Sequence, residues 1–257
     1  MRSARYLSGG MLQVQDVEVR VPGVDGPAGE LVRIPTADIR LSLVSVRRMH
    51  LVVESIVLNQ PLIRISEDAT NHTISVGAFN RPATGGKQQE QMKLPSILVT
   101  DATIEVGIHD TRTHEYRATG SLNLDGKLLP MAPDEDTASS QPLVPSEESY
   151  QIILTELPQA QSESEIGVVR PIEILGRLGI ETGTLSLDVT GINFDTDRSG
   201  LLPTQVREWW ELIEPRGPLG SIRFIVDADG KYGVRIDMSG IDWTMPHPTC
   251  IERQRAG

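Results

Sequence analysis

The stretch LSLDVTGINF, Leu185 to Phe194, holds the pattern that decides the fold. Apolar residues occupy every second position up to Val189, and the spacing then widens to three before alternation resumes at Ile192. Strict alternation is typical of a half-buried β-strand. One extra residue, held as a β-bulge, keeps the later side chains on the original face and bends the strand. The stretch therefore predicts a bent strand with one apolar face.

The same composite pattern, two alternating runs separated by a step of three, occurs six times in the chain. Two short strands joined by a tight turn at each step are the alternative interpretation. Both interpretations predict an antiparallel or strongly curved sheet with one continuous apolar face. The six occurrences are Leu12, Val14 then Val17, Val19; Val32, Ile34 then Ala37, Ile39, Leu41; Leu51, Val53 then Ile56, Leu58; Ile97, Val99 then Ala102, Ile104, Val106; Leu185, Leu187, Val189 then Ile192, Phe194; and Val234, Ile236, Met238 then Ile241, Trp243.

Two short helices are predicted among the strands. Pro171 to Leu178 ends at a glycine, Gly179, as helices often do. Pro203 to Glu214 begins with a proline suited to a first helical turn and has an apolar stripe opposite its charged residues. We expect the apolar stripe of this second helix to pack on the sheet or to cap its open end.

The acidic charge is concentrated in the middle of the chain. The protein has 257 residues and a net charge of −11, which argues against nucleic acid as a partner. The expected organisation is an N-terminal β segment at 1–127, an acidic, proline-rich mobile loop at 128–149, and a C-terminal β segment at 150–257 that contains the helix 203–214. A cation- or partner-binding acidic segment is the alternative for the loop.

The sequence contains none of the common catalytic motifs, and we predict that the protein is not an enzyme and binds no cofactor or metal. Its single cysteine, Cys250, excludes an internal disulfide and a cysteine-cluster zinc site. His109 and His114, with Asp110 and Glu115, could bind a metal weakly across a hairpin. A solvated hairpin tip is the better interpretation of those four residues.

Three segments resemble AsmA-like and TamB-like proteins. VVESIVLNQPLIRI, from Val52 to Ile65, is similar to the N-terminal strand of that family, which precedes a turn. LPSILVTDATIEVGIHD, from Leu94 to Asp110, resembles the segment that follows it. Pro203 to Gly217, with its tryptophans, resembles a segment that opens a further β unit in large members.

The resemblance implies an elongated, twisted and bulged sheet that forms an open groove, related in architecture to chorein-type lipid-transfer proteins. Phospholipid acyl chains would lie along that groove in a bacterial cell envelope, in the periplasm, to serve lipid transport or outer-membrane assembly. Family members usually begin with a membrane-anchoring helix and continue for many hundreds of residues, so this chain is expected to correspond to a segment of such a protein. Membrane association would then belong to the full-length form or to partner proteins.

The alternative function is a structural or binding β-sandwich, in which the apolar faces pair with each other in a closed core. The residues expected to face the lipid in the groove are Val53, Ile56, Val99, Ile104, Leu185, Leu187, Val189, Ile192, Val234, Ile236, Met238 and Ile241.

Overall fold

The computed structural model describes residues 2–21, 24, 26–43, 52–70, 94–110, 112–113, 115–131, 148–157, 170–180, 182–193, 199–202, 204, 207–208, 212, 215–227 and 231–242. The protein is mainly β, as predicted, and its twelve strands form one large sheet. The strands are β1 (Ser3–Leu7), β2 (Met11–Arg20), β3 (Glu30–Leu41), β4 (Val53–Asn59), β5 (Leu62–Asp68), β6 (Ser96–Asp110), β7 (Glu115–Met131), β8 (Ser149–Glu156), β9 (Glu173–Gly179), β10 (Leu185–Thr190), β11 (Ser221–Val226) and β12 (Tyr232–Asp237).

The strands lie side by side nearly in chain order, as β1-β2-β3-β4-β6-β7-β8-β9-β10-β11-β12, with β5 beside both β3 and β6. Most neighbours are antiparallel, but β6 runs parallel to β4 and to β5. The sheet is therefore mixed, with antiparallel pairing at all but these two neighbours. Alternation identifies the buried face of a strand but carries no information on its direction. The connection between Asp68 and Ser96 has the length that a parallel crossover needs.

The predicted helix at 171–178 was wrong, because Glu173–Gly179 forms β9. Its apolar residues alternate through Gly176, and β9 pairs with β8 on one side and with β10 on the other. Those two ladders of hydrogen bonds outweigh the weak helical preference of a seven-residue segment. In the second predicted helix, 203–214, the described residues Thr204, Arg207, Glu208 and Leu212 are helical.

Several expectations concern residues outside the described part of the chain. They include residues 132–147 of the expected acidic loop and His114 of the possible metal site. At the ends of that loop, β7 continues to Met131, which pairs with Ser149 at the start of β8. The pairing of β7 with β8 also joins the two expected β segments, 1–127 and 150–257, in the same sheet.

The steps of three are bends of two kinds. In β6 the register against β7 shifts between Val99 and Ala102, so one extra residue forms the predicted bulge. In β2 and β3 both strands bend at the same level, and the register is unchanged from Gln15 opposite Thr36 to Val17 opposite Ile34. A bulge therefore explains some steps, and aligned bends in neighbouring strands explain others.

These bends define a line across the sheet, which we call the crease: Asp16, Gln60, Asp101 and Gly191, all with positive φ. Asp16, Gln60 and Asp101 have φ of 51°, 52° and 52°. The strand registers place these three residues at one level of the sheet. A side-chain amide of Gln60 donates a hydrogen bond to Asp101 over 2.9 Å. Left-handed conformation is unusual for residues other than glycine, so its recurrence at one level indicates a concerted bend.

The core lies at the crease. Leu122, Leu124, Ile172 and Ile174 form the buried cluster, and these residues come from both sides of the crease. Partly buried apolar residues from both sides pack against it, so the bend brings the two parts of the apolar face together. These residues are Ile104, Leu154, Leu187, Val189, Ile192 and Leu201.

Candidate apolar binding face

The strand registers align apolar residues in a row that crosses ten strands, from β2 to β12 without β5. We call this the first apolar row. Every position in it is aliphatic or aromatic except Gly176. Its members, each paired with the next, are Leu12, Ile39, Ile56, Ile97, Leu128, Ile152, Gly176, Leu187, Phe224 and Val234.

A second apolar row runs beside the first, two residues along each strand and nearer the crease. It also crosses ten strands and contains no polar side chain. Residues two apart on a strand share a face, so the two rows form one continuous surface, the apolar face. The second row is Val14, Ala37, Leu58, Val99, Gly126, Leu154, Ile174, Val189, Ile222 and Ile236.

Burial decreases with distance from the crease and toward β12. In the second row, Val14, Val99 and Ile174 are buried, whereas most of the first row is only half-buried. At the outer strand, 54% of Val234 and 51% of Ile236 are exposed. The apolar face is therefore packed along the crease and open to solvent away from it, most of all at β12.

The two glycines of the rows do not interrupt the apolar face. A Cβ at Gly176 would collide with the side chain of Leu187, and a Cβ at Gly126 would collide with that of Leu154. Each leucine thus lies over the glycine of the neighbouring strand. The glycines provide the space for these leucines, and the surface stays apolar at both positions.

The opposite face of the same strands is polar at the level next to the second row. A row of hydroxyl, amide and carboxylate side chains follows the strands there, and we call it the polar row. Because adjacent residues of a strand point to opposite faces, the opposite face is polar at this level, while Leu98, Leu175 and Ile225 are exposed elsewhere on it. The polar row is Gln15, Thr36, Asn59 and Thr100 in β2 to β6; Asp125, Thr155, Glu173 and Thr190 in β7 to β10; and Ser221 and Asp237 in β11 and β12.

The residues expected to face lipid fall into three places. Six of them are members of the apolar rows, four flank the rows, and two lie past the crease against the core cluster. The row members are Ile56, Leu187, Val234, Val99, Val189 and Ile236; the flanking residues are Val53, opposite Leu41, Leu185, opposite Leu178 and Val226, and Met238 and Ile241 beyond β12; Ile104 and Ile192 pack against the cluster.

Past the crease, a segment near residue 200 covers part of the sheet. The hydroxyl of Thr119 donates a hydrogen bond to the carbonyl of Gly200 over 2.7 Å, and Leu201 packs against the core cluster. The backbone N–H of Thr204 donates to Oε2 of Glu67, a buried carboxylate, over 2.8 Å. A carboxylate in this position satisfies a donor at the start of a helical segment. Most of the apolar stripe expected for the helix 203–214 lies outside the described residues, so the packing of that stripe stays a prediction.

A charged cluster that the sequence analysis did not identify lies past the crease. Arg64 contacts two carboxylates, with 2.9 Å from Nη1 to Glu30 and 2.8 Å from Nε to Glu105. The hydroxyl of Tyr116 donates to the same Glu105 oxygen over 2.8 Å. Burial opposes the charge on Arg64, but the neighbouring carboxylates raise its pKa. Burial and the bond to Glu105 also raise the pKa of Tyr116 well above its usual value.

The structure gives this cluster the character of an internal ion pair, because each charge already has an opposite charge in contact. Nearby, Nε2 of His109 lies 3.8 Å from Asp68, while its predicted metal partner His114 is outside the described residues. Within the described ranges, no group of three or more histidine, cysteine or carboxylate side chains is arranged to hold a metal ion.

No protein-family model matches the chain, and no curated protein matches it significantly. Among the residues that the structure describes, no helix combines the length and apolar character needed to span a bilayer.

Proposed function

We propose that the protein is a non-enzymatic, lipid-binding segment of a larger AsmA-like groove, and that phospholipid acyl chains lie on its apolar face. The observation that carries the proposal is the pair of uninterrupted apolar rows crossing ten strands. An apolar surface of this extent, half-buried or exposed over much of its length, favours an apolar ligand. Its aliphatic composition suits flexible hydrocarbon chains.

The dimensions of the apolar face suit an acyl chain. Neighbouring strands are spaced by about 4.8 Å, so nine steps from β2 to β12 correspond to about 43 Å. One leaflet of a bilayer contributes about half of the roughly 30 Å hydrocarbon thickness. A row therefore exceeds the length of a single acyl chain, and a chain bound along it would contact several strands at once.

The two-faced sheet supplies the environment that such a ligand needs. Hydrocarbon would contact the apolar rows, while the polar row stays hydrated on the other face of the same strands. The headgroup would stay in water at the open side. On the resemblance to AsmA-like proteins, the proposed site of action is the bacterial cell envelope, between membranes.

A β-sandwich with a closed core is the second candidate. It would require another sheet or layer facing the apolar rows. All twelve described strands belong to a single sheet, and the exposure of Val234 and Ile236 is greater than a closed core allows. These observations favour the open face over the sandwich.

The experiment is a mass-spectrometric analysis of lipids that co-purify with the protein in the absence of detergent. Ile236→Glu places a carboxylate on the exposed part of the apolar face, where it stays hydrated and disfavours hydrocarbon. Ile225→Glu is the matched control, because Ile225 is 45% exposed on the neighbouring strand but points to the opposite face.

We expect phospholipid with the wild-type protein and with Ile225→Glu, and a several-fold loss with Ile236→Glu, all three proteins remaining folded. Wild-type protein that carries no phospholipid from a bacterial host would contradict the proposal. Unfolding of Ile236→Glu alone would instead favour the closed sandwich, in which the carboxylate is buried without a partner.

A further inference from the structure

The outer edge of β12 carries backbone groups that face away from the sheet. The N–H of Asp227 donates to the carbonyl of Lys231 over 2.9 Å, which marks a hydrogen-bonded pair of β11 and β12. Hydrogen-bonded and non-hydrogen-bonded pairs alternate along an antiparallel ladder. The N–H and C=O of Val234 and Ile236 therefore point outward, toward the position that a further strand would occupy.

Among the described residues, this edge lacks proline and bulges, two features that commonly protect an exposed strand, although it carries the charged side chains Arg235 and Asp237. Natural edge strands are interrupted by prolines, bulges or inward-pointing charges. The strand Tyr232–Asp237 contains no proline, and its register with β11 is regular throughout. Its apolar positions, Val234 and Ile236, are about half exposed. The edge is therefore suited to pairing with another strand.

A row of charges on the opposite face indicates which strand fits. Nε of Arg223 lies 2.6 Å from Asp188 of β10, and Arg235 of β12 stands opposite Arg223 on its other side. Two arginines thus occupy adjacent positions with one carboxylate. Like charges opposite each other destabilise a sheet, so the next position outward favours an acidic residue.

We propose that β12 pairs with β12 of a second copy of this chain, antiparallel and about a two-fold axis at Ile236. In this register, Arg235 of each copy stands opposite Asp237 of the other, so the same ion pair forms twice. Ile236 stands opposite Ile236, and Val234 opposite Met238. Both apolar faces lie on the same side of the joined sheet, because a two-fold axis through the sheet preserves its sides.

The charges disfavour the competing arrangements. An axis at Arg235 places two arginines opposite each other, and an axis at Val234 places Arg235 opposite glycine. In a head-to-tail arrangement, β12 of one copy would pair with β1 of the next. Tyr6 pairs with Leu12, the first member of the first apolar row, so a continuous row requires Val234 opposite Tyr6. That arrangement places Arg235 opposite Arg5, again a repulsive pair.

A charge swap tests the register. Arg235→Asp and Asp237→Arg each place like charges opposite one another, and the double variant restores two opposite pairs. Because a six-residue edge buries little surface, the dimer is weak, and sedimentation equilibrium must extend to high protein concentrations. We expect concentration-dependent dimers for the wild type and the double variant, and monomers for both single variants. A monomeric wild type, or a double variant that stays monomeric, would overturn the proposal.

Disulfide trapping provides a second readout that does not depend on charge. In a Cys250→Ser background, Ile236→Cys brings two thiols together across the axis. Their Cα atoms would lie about 5.5 Å apart, within the range of disulfides. Val234→Cys is the matched control. In the proposed register each Val234 stands opposite Met238 of the other copy, so the two introduced thiols would be four residues apart along the strands. Rapid dimerisation of Ile236→Cys alone supports the proposal, whereas faster trapping at 234, or trapping at neither position, overturns it. Neither experiment requires lipid, so their failure is separate from failure of the proposed function.

Discussion

Leu124 is the most direct probe of the core at the crease. Its side chain has 1% of its surface exposed and contacts residues from both sides of the bend. Leu124→Ala removes buried methyl groups and leaves a cavity, because the surrounding strands are held by their ladders. Substitutions of this kind at fully buried positions cost about 3–5 kcal/mol. We expect a loss of about 3 kcal/mol in the free energy of unfolding.

Ile236→Ala is the comparison, on the same apolar face but at the outer strand. Complete burial of an isoleucine side chain stabilises a protein by about 2–3 kcal/mol. With 51% of Ile236 exposed, about half of this contribution is present, so the expected loss is about 1 kcal/mol. The two truncations should therefore differ by a factor of about three.

Urea denaturation followed by far-ultraviolet circular dichroism measures both losses from the transition midpoints, provided that the dependence on urea is unchanged. Equal losses of about 3 kcal/mol would refute the reasoning, since the outer part of the face would then be covered as completely as the crease. A loss below about 1 kcal/mol for Leu124→Ala would show that the main core lies elsewhere.

Four further outcomes are expected. Arg64→Ala leaves two partly buried carboxylates without their cation and should lower the free energy of unfolding by about 3 kcal/mol in urea denaturation. Arg223→Ala removes one side of an exposed ion pair and should change the urea midpoint little. Equal effects of the two variants would contradict the internal character of the Arg64 cluster. Asp101→Val should cost about 1–2 kcal/mol because a β-branched side chain is strained at positive φ, and Asp101→Gly should cost less; the reverse order would contradict the bend. The pKa of Tyr116 is raised in the folded protein, so above about pH 10 the unfolded chain loses the phenol proton while the folded protein keeps it, and the free energy of unfolding falls as pH rises. Tyr116→Phe should reduce this fall in melting temperature with pH. An unchanged dependence on pH would refute the assignment. Replacing residues 132–147 with Asn-Gly should change the free energy of unfolding by no more than about 1 kcal/mol, since the strands on either side already pair, and a larger loss would show that the segment supports the fold.

The local pattern of apolar residues was sufficient to predict several strands, although it misassigned β9 as a helix. Alternation at Leu185 to Val189 and at Val234 to Ile236 follows directly from the two-residue period of a strand, and both runs are strands. The hairpin of β11 and β12 was also predictable, because a turn sequence separates two alternating runs. The step of three was informative because a sheet with one buried face must preserve that face through each bend.

The pairing of distant strands could not be predicted from one sequence. The apolar rows depend on register, which is set by contacts between residues far apart in the chain. The parallel pairing of β6 with β4 depends on the path of a long connection. In β9, a short apolar segment fits a helix or a strand equally well until its neighbours are known.

The Arg64 cluster was missed for a related reason. Arg64 and Glu105 each interrupt an apolar alternation at a position that points to the other face, as charged residues of a solvated strand do. Only the pairing of Arg64 directly beside Glu105, in parallel strands, brings the two charges together. The sequence did contain one signal of this pairing: Arg64 follows the bend at Gln60 by the same number of residues as Glu105 follows the bend at Asp101.

The measurement that tests the central claim most directly is photo-crosslinking of bound lipid from each face of one strand. Benzoylphenylalanine at Phe224 lies in the first apolar row, and the same group at Ile225 lies one residue away on the opposite face. After irradiation in cells, intact-protein mass spectrometry reports any phospholipid adduct. We predict adducts from position 224 and none above background from position 225. Equal labelling at both positions, or labelling at 225 alone, would contradict the binding of acyl chains on the apolar face.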